Sequence, residues 1–312
     1  MSFTHTVHPF GRWEKHVFEH AATGLAMELV PEEGACLLDL RFNHRSVLDG
    51  YRTPEEMDIN RWAKSNFLLP FPNRLNEGSY EWEGEIYQFE INDSLTNNAL
   101  HGFGNQLPFV LGYVELREKF CIVTCTHENE GEHPGYPFPF KFEVQFKLHT
   151  EQGFQVHMRM TNTGQQTIPA GFGWHPYFTL GQSIDQYRLS LPPCELVGID
   201  GRMIPTGKTY DYEEFAEEKP IGITVLDNCF VFRKGPISWS VSGEVGTLVF
   251  RQDSGHGKFN YLQLFTPPDR KSLAIEPMSC NIDAFNHREG LLLLFPRQTA
   301  SAAFAMNYLP PE

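Results

Sequence analysis

The chain has 312 residues, a formal net charge of −14 and no run of Lys or Arg. A nucleic-acid or anionic-membrane partner is therefore not expected, because both need a basic patch. The N-terminal segment lacks an apolar core of signal-peptide length and no stretch approaches the ~18 apolar residues needed to cross a bilayer, so we expect a cytoplasmic protein.

Strand patterns dominate the chain. Aromatic residues make up 13% of it, which favours strands because such side chains fit pleated surfaces. One short helix is predicted over 53–63, where Thr53 can serve as its N-cap. Apolar runs predict strands at 25–30, 36–42, 80–91 (a hairpin turning near Gly84), 109–117, 120–127, 142–148, 154–160, 237–242, 247–252, 261–266, 272–276, 291–296 and 302–309.

The clearest local prediction is a hairpin in the middle of the chain. FEVQFKL (142–148) and FQVHMRM (154–160) both alternate apolar and polar residues, and the five residues between them end in Gly153. About fifteen short strands with closely spaced turns predict an all-β fold, a sandwich or a barrel. No linker interrupts them, so we predict one domain over 1–312, with two packed antiparallel sheets.

The six cysteines are few and dispersed, which is typical of free thiols in a reducing compartment. Cys121 and Cys125 share one face of a predicted strand, but the second cysteine pair of a zinc site is missing. No metal site is predicted. No cofactor is predicted either, and the nucleotide-binding motifs GxGxxG and GxxxxGK[ST] are absent. The serine-hydrolase motif GxSxG is absent as well.

The hexapeptide GWHPYF (173–178) surrounds His175 with aromatic residues and places Pro176 directly after it. Proline disfavours helix for the preceding residue, so His175 is predicted at a strand end with a defined side-chain direction. Aromatic rings with polar tips suit a partner such as a sugar, and Trp174 and Tyr177 are candidates to wall such a site. At least one of the aromatic residues around His175 is expected to pack in the core instead. A core histidine with a satisfied hydrogen bond is the alternative.

Glu276 ends the apolar run SLAIE and is also followed by proline. Glutamate is rarely buried without a partner, so the residue is either a salt-bridged strand end or one half of an acid–base pair with His175. Three other polar residues stand in turn or strand-end positions, and each also has an ordinary loop or surface interpretation. They are Arg74, His101 and Asp227, the last in an Asp-Asn dipeptide that is common in turns.

Taken in order, five segments resemble motifs of the aldose 1-epimerase (galactose mutarotase) family. They are NRL (73–75), LHGF (100–103), GWHPYF (173–178), LDNCF (226–230) and IEPMSCNIDAFN (275–286). The resemblance implies the large galactose mutarotase-like β-sandwich and an aldose substrate in its pyranose form. It implies that His175 is the general acid and Glu276 the general base.

The same resemblance implies that Arg74 and His101 hold sugar hydroxyls and the ring oxygen, and that Asp227 binds a hydroxyl. We add Asn73 to the candidate sugar contacts. The partner would then be a small-molecule sugar, with the protein a monomer or a homodimer. The expected function is interconversion of the anomers of a free hexose.

The chain also departs from the better-known members of that family. Trp174 and Pro176 flank His175 where Asn and Thr are common, and Glu276 precedes Pro-Met instead of Thr-Gln. With these departures the chain resembles a divergent bacterial-type branch of the family. They leave the identity of the sugar undetermined. A hexose 6-phosphate would need further cations beside Arg74, for which Arg61, Arg270 and Arg297 are the candidates. A non-catalytic sugar-binding protein of the same fold is the other alternative.

Overall fold

The computed structural model describes residues 2–233, 235–252 and 254–311. Within these ranges there are two short α-helices, α1 (Pro54–Ile59) and α2 (Ala284–His287), and 3₁₀ turns at Arg61–Ala63, Gly104–Gln106 and Ile184–Gln186. The strands are β1 (Thr4–Phe10), β2 (Trp13–His20), β3 (Leu25–Val30), β4 (Cys36–Phe42), β5 (Arg45–Ser46), β6 (Phe67–Leu68), β7 (Arg74–Asn76), β8 (Ser79–Trp82), β9 (Glu85–Gln88), β10 (Asn98–Leu100), β11 (Val110–Leu116), β12 (Phe120–Asn129), β13 (Phe140–His149), β14 (Gly153–Asn162), β15 (Ile168–Ala170), β16 (Gly173–Trp174), β17 (Tyr177–Phe178), β18 (Arg188–Ser190), β19 (Cys194–Ile199), β20 (Pro205–Tyr212), β21 (Lys219–Pro220), β22 (Asp227–Val231), β23 (Ile237–Gly243), β24 (Gly246–Gln252), β25 (Tyr261–Phe265), β26 (Leu273–Met278), β27 (Leu292–Leu294) and β28 (Thr299–Leu309).

The largest sheet has nine strands in the order β11-β12-β13-β14-β28-β24-β23-β18-β21. Its centre is the predicted hairpin, in which β13 and β14 pair antiparallel from Phe140↔Asn162 to His149↔Gly153. Buried and half-buried residues alternate strictly along β13, so this strand has one face in the core and one toward solvent.

The second large sheet has eight strands, and its path runs β20-β19-β22-β25-β26-β16-β6 with β17 also paired to β26. All six residues of β26 are buried. A strand at the centre of a sheet that is covered on both faces gives this pattern, and here it includes Glu276.

The two large sheets pack face to face through aromatic side chains. Phe67 of β6 contacts Phe142 and Phe146 of β13, with ring centroids 6.5 and 6.0 Å apart. Trp174 of β16 lies 6.0 Å from Phe154 of β14. The prediction of an all-β antiparallel sandwich is confirmed. That it forms one domain stays a prediction.

A five-stranded sheet, β1-β2-β3-β4-β5, is formed by the N-terminal segment. β3 and β4 coincide with the predicted strands, whereas β1 and β2 were not predicted because their polar and apolar residues do not alternate cleanly. β8 and β9 form the hairpin expected around Gly84, which adopts φ +85° there.

Helix α1 is shorter than the 53–63 segment predicted to be helical. The Thr53 hydroxyl accepts a hydrogen bond from the Glu56 N–H at 3.2 Å, which confirms the predicted cap. The helix ends at Asn60, which adopts a left-handed conformation, and Trp62 in the following 3₁₀ turn also has positive φ. The chain therefore turns sharply at 60–65 and then passes into β6.

Neither helix in the described part of the chain is long or apolar enough to span a membrane. All six cysteines are free, and all except Cys194 are buried. Burial raises the pKa of the thiols of Cys121 and Cys125, in each case to about 12.

Candidate active site

Glu276 lies in the middle of β26, paired in register with Gln263 of β25. Its side chain is 2% exposed, and its Oε2 atom has no hydrogen-bond partner among the described residues. Burial raises the pKa of Glu276 well above the usual value, and the neighbouring Asp227 carboxylate raises it further. A carboxyl group in this position therefore holds a proton readily.

His175 stands between β16 and β17, at the strand end that Pro176 predicts. Its backbone is held by the 60–66 segment: its N–H donates to the Asn66 carbonyl at 3.0 Å, and its carbonyl accepts from the Ser65 N–H at 2.8 Å. The imidazole Nε2 lies 3.3 Å from Oε1 of Glu276. The two side chains, 101 positions apart, are thus in direct contact.

Burial lowers the pKa of His175 to about 3. Burial thus disfavours the charged form of both partners, while their attraction at contact favours an ion pair. Burial and attraction at contact both disfavour a state in which only one of the two side chains is charged. Around neutral pH the His175–Glu276 pair therefore holds one proton in total, located on either the imidazole or the carboxylate.

His101 is brought to this pair by the short ladder between β7 and β10, in which Leu100 pairs with Arg74. The chain then turns through two left-handed residues, His101 (φ +68°) and Gly102 (φ +66°). A Cβ atom at Gly102 would lie 2.1 Å from the Leu69 carbonyl oxygen, so this position requires glycine.

The tautomer of His101 follows from its hydrogen bond to Asn73. The Asn73 backbone N–H donates to Nδ1 of His101 at 3.2 Å. Because Nδ1 accepts, the neutral ring carries its proton on Nε2. Burial holds the pKa of His101 well below its usual value, which keeps the ring neutral. Its centroid lies 5.0 Å from that of His175, with the two planes nearly perpendicular.

A chain of hydrogen bonds connects the remaining polar residues of the site. The Arg74 Nη1 group and the Asn73 amide oxygen are 3.3 Å apart, and the Asn73 amide donates to the Gln263 oxygen at 3.3 Å. Gln263 then donates to Oδ1 of Asp227 at 2.7 Å. Arg74 is also paired with Asp93 at 3.0 Å. Donors and acceptors are therefore held in fixed positions before any ligand binds.

His101, His175 and Glu276 lie close enough to hold a metal ion, with one ligating atom of each within 4.8 Å of the others. The tautomer of His101 argues against this use. Its Nδ1 lone pair is already engaged by the Asn73 N–H, and its Nε2 carries a proton. The arrangement fits a site that binds through hydrogen bonds better than a metal centre.

These side chains line a cavity of about 560 Å³. Tyr177 stacks on the His175 ring, with centroids 5.1 Å apart and planes 16° apart. Trp62 and Phe265, 5.6 Å apart, add aromatic surface. Seven of the eight predicted site residues line this cavity: Asn73, Arg74, His101, His175, Tyr177, Asp227 and Glu276.

Trp174 does not line the cavity, and the expectation that it walls a sugar site is corrected. Its side chain is fully buried between the sheets, where it stacks on Phe67 at 6.2 Å and donates from Nε1 to the Ser65 carbonyl at 3.1 Å. Successive residues of an extended segment point to opposite faces. If Trp174 faces the core, His175 faces the cavity.

The sequence analysis missed Gln263 and Trp62. Gln263 interrupts the apolar run YLQLF and is 3% exposed, so it carried the same signal as Glu276, a polar residue within a buried strand. Trp62 was counted as helical. Its place in the cavity wall depends on the turn at 60–65, where several residues have positive φ. The sequence contains no glycine there that would have indicated such a turn.

The arginines considered for a phosphate group lie apart from the His175–Glu276 pair. Arg270 binds Asp185 and the carbonyls of Gly222 and Thr224. Arg297 is exposed in the connection before β28, and Arg61 lies over the face of the Trp62 ring, 5.2 Å from its centroid. Among the described residues that line the cavity, Arg74 is the single Lys or Arg side chain.

The two large antiparallel sheets have the fold of galactose mutarotase-like proteins. The structure is similar to a galactose mutarotase-like protein of Clostridium acetobutylicum, at 17% identity with a TM-score of 0.88 over 99% of both chains. It is also similar to galactose 1-epimerase from Lactobacillus acidophilus, at 15% identity with a TM-score of 0.81 over 98% of both chains.

The chain belongs to the aldose 1-epimerase family, whose model matches residues 20–307. It is 29% identical over 269 residues to YihR of Escherichia coli K12, an uncharacterised protein, in a match that covers 84% of this chain and 83% of YihR. The resemblance seen in the five sequence motifs is confirmed.

Proposed function

We propose that the protein is a cofactor-independent aldose 1-epimerase that interconverts the α and β anomers of a free hexose. The observation that carries the proposal is the contact between His175 and Glu276, 3.3 Å apart and both buried at the cavity. Anomer exchange needs one group that takes a proton and another that gives one, and this pair supplies both.

Ring opening uses the pair in its charged arrangement. Glu276, as the carboxylate, takes the proton of the C1 hydroxyl while His175, as the imidazolium, gives a proton to the ring oxygen. The C1–O5 bond breaks and an open-chain aldehyde forms. Rotation about C1–C2 exposes the other carbonyl face, and the ring closes with both proton transfers reversed.

The pair holds one proton before and after ring opening, since Glu276 gains the proton that His175 loses. The charged and the neutral arrangements are thus the two ends of the catalysed step. Burial favours the neutral arrangement of His175 and Glu276, and their attraction at contact opposes it. A pair that exchanges one proton in this way can serve ring opening and ring closure alike.

The other cavity residues would hold the hydroxyls of the sugar. His101 offers its Nε2–H, Arg74 offers guanidinium donors and Asp227 offers a carboxylate acceptor. Burial raises the pKa of Asp227, with Arg74 and the Gln263 hydrogen bond acting in the opposite direction. Tyr177 presents aromatic surface to the ring. We expect the enzyme to act in the cytoplasm as a monomer or a homodimer.

The test is the rate of anomer exchange of freshly dissolved α-glucose and α-galactose, followed by polarimetry and corrected for the spontaneous reaction. We expect His175→Asn and Glu276→Gln each to lower the catalysed rate at least ~10²-fold, the usual scale for an acid–base group. Glu143→Gln, on the half-exposed face of β13, is the matched control and should leave the rate unchanged.

Exchange near the wild-type rate in either site variant would contradict the assigned roles. Binding of sugar by the wild type without faster exchange would favour the non-catalytic sugar-binding alternative. A clear preference for glucose 6-phosphate over glucose would favour the phosphorylated substrate.

A further inference from the structure

The orientation of the Arg74 side chain is fixed by a carboxylate that lies outside the cavity. Arg74 Nε donates to Oδ2 of Asp93 at 3.0 Å, and each of the two side chains is only 14% exposed. Arg74 lines the cavity, whereas Asp93 does not. Asp93 can therefore act on a bound sugar only through the arginine that it contacts.

Two of the three guanidinium nitrogens of Arg74 are engaged by the protein. Nε donates to Asp93, and Nη1 lies 3.3 Å from the Asn73 amide oxygen. None of the described residues accepts a hydrogen bond from Nη2. Because the guanidinium is planar, fixing Nε and Nη1 also fixes the direction of the Nη2 donors. These donors are left to bind a ligand, and a sugar hydroxyl is an acceptor that fits them.

Asp93 is itself held in place by a short turn over 93–98. Its N–H donates to the Asn98 carbonyl at 3.0 Å, and the Asn98 N–H donates back to the Asp93 carbonyl at 3.1 Å. The Thr96 hydroxyl donates at 2.5 Å to Oδ2 of Asp93, the same oxygen that accepts from Arg74. Burial tends to raise the pKa of Asp93, but the Thr96 hydroxyl and Arg74 outweigh it and hold that pKa below its usual value. Asp93 is thus an anion where it meets the guanidinium.

The 93–98 turn is anchored from the connection between β19 and β20. Arg202 donates from Nε to the Thr96 carbonyl at 3.1 Å and from Nη2 to the Asn97 carbonyl at 3.1 Å. In return the Asn98 amide donates to the Arg202 carbonyl at 2.8 Å. A distant part of the chain therefore holds the turn.

We infer that Asp93 is a positioning residue for anomer exchange and acts by orienting Arg74 toward the sugar. The inference rests on the proposed function and adds to it a residue outside the cavity. An arginine side chain loses rotamer freedom when it binds a ligand, and an ion pair that holds it beforehand removes that cost from binding. Arg74 contacts hydroxyls in the substrate and in the transition state alike, so the effect of Asp93 falls mainly on KM.

The test is the steady-state kinetics of anomer exchange with α-glucose or α-galactose, whichever the wild type exchanges faster. Asp93→Ala removes the acceptor for Arg74. We expect kcat/KM to fall about tenfold, the scale of one hydrogen bond to a charged group, with kcat within about threefold of wild type. Asp93→Asn keeps an oxygen in this position and should recover part of the loss. A loss confined to kcat would overturn the inference.

A double-mutant cycle with Arg74 separates positioning from a structural effect of the turn. In the Arg74→Met background there is no guanidinium to orient, so Asp93→Ala should change kcat/KM less than about twofold. A purely structural role of Asp93 in the turn would instead give the same loss in both backgrounds, and that result would overturn the inference.

Thr96→Val gives an arm that keeps the Asp93 carboxylate and guards against a folding defect in the alanine variant. It removes the hydroxyl that fixes Oδ2, so kcat/KM should fall about two- to threefold, again through KM. Glu77→Gln is the matched control. Glu77 forms an ion pair with Arg202 at 3.0 Å and does not line the cavity, so this variant should keep both constants unchanged.

Wild-type kinetics in both Asp93→Ala and Thr96→Val would overturn the inference and leave the proposed function intact. If the wild type exchanges neither sugar faster than buffer does, the proposed function itself fails and the inference falls with it.

Discussion

The β13–β14 hairpin and strand β26 are both central parts of antiparallel sheets, yet their polar side chains differ in exposure. On β13, Glu143 and Gln145 alternate with core residues and lie half-buried on the outer face. On β26, Glu276 alternates with Leu273 and Ile275, which belong to the main core, and it is buried as well. One strand has a wet face, and the other has a face covered by the rest of the chain.

The cover over β26 consists of irregular segments and short strands. The 60–66 segment, the β7–β10 ladder and the turn at His101 and Gly102 all contribute residues to the cavity. Such segments enclose a space instead of filling it. The comparison shows that a buried polar residue in a central strand can lie at the floor of a cavity. Polar residues that alternate with apolar ones, as on β13, instead lie on the face of the sheet toward solvent.

The largest expected effect tests which face of GWHPYF belongs to the core. Trp174→Ala should lower the free energy of unfolding by about 3–5 kcal/mol, the range for buried Trp or Phe truncation. Trp62→Ala, at a half-buried position in the cavity wall, should cost less than half as much. Urea denaturation of both variants measures the difference, and equal losses would refute the assignment of Trp174 to the core.

The next effect tests whether the polar chain across the floor matters to catalysis. Gln263→Leu removes the donor to Asp227 and the acceptor for Asn73. Hydrogen bonds to charged groups contribute about 1.5–3 kcal/mol, so kcat/KM for anomer exchange should fall at least about tenfold.

Gln145→Leu makes the same change on the outer face of β13, where the side chain donates to Thr124 at 3.3 Å. This variant should keep wild-type kinetics. If both glutamine variants lose activity equally, or neither does, the distinction between the two strands has no functional meaning.

The smallest effect concerns stability against pH. The pKa of Glu276 is higher in the fold than in the unfolded chain, so its contribution to stability is greatest at low pH and declines as pH rises. Glutamine does not titrate, and Glu276→Gln should therefore gain on wild type between pH 5 and pH 8, by on the order of 1 kcal/mol. Thermal unfolding at both pH values measures this gain. Glu143→Gln is the control. An equal change of stability with pH in this variant would show that the effect does not come from the burial of Glu276.

Much of the sandwich could be predicted from local patterns. The alternation in β13 and β14 and the apolar runs of β3, β4 and β24 coincide with observed strands because each pattern reports which faces are buried. Most strands of two or three residues, such as β6, β16 and β17, were missed. They are too short to show a period, and only their neighbours in the sheet define them.

The candidate site was predictable in residue types and not in layout. His175 and Glu276 each stand out as a polar residue beside proline in an apolar setting, a property of the local sequence. The sequence by itself determined that an imidazole would lie at a strand end and a carboxylate on an apolar strand of an all-β protein. Only the tertiary structure decided that they touch, that Trp174 faces away from them, and that Trp62 and Gln263 join them. Local sequence encodes alternation along a strand, whereas which face is enclosed depends on contacts between segments far apart in the chain.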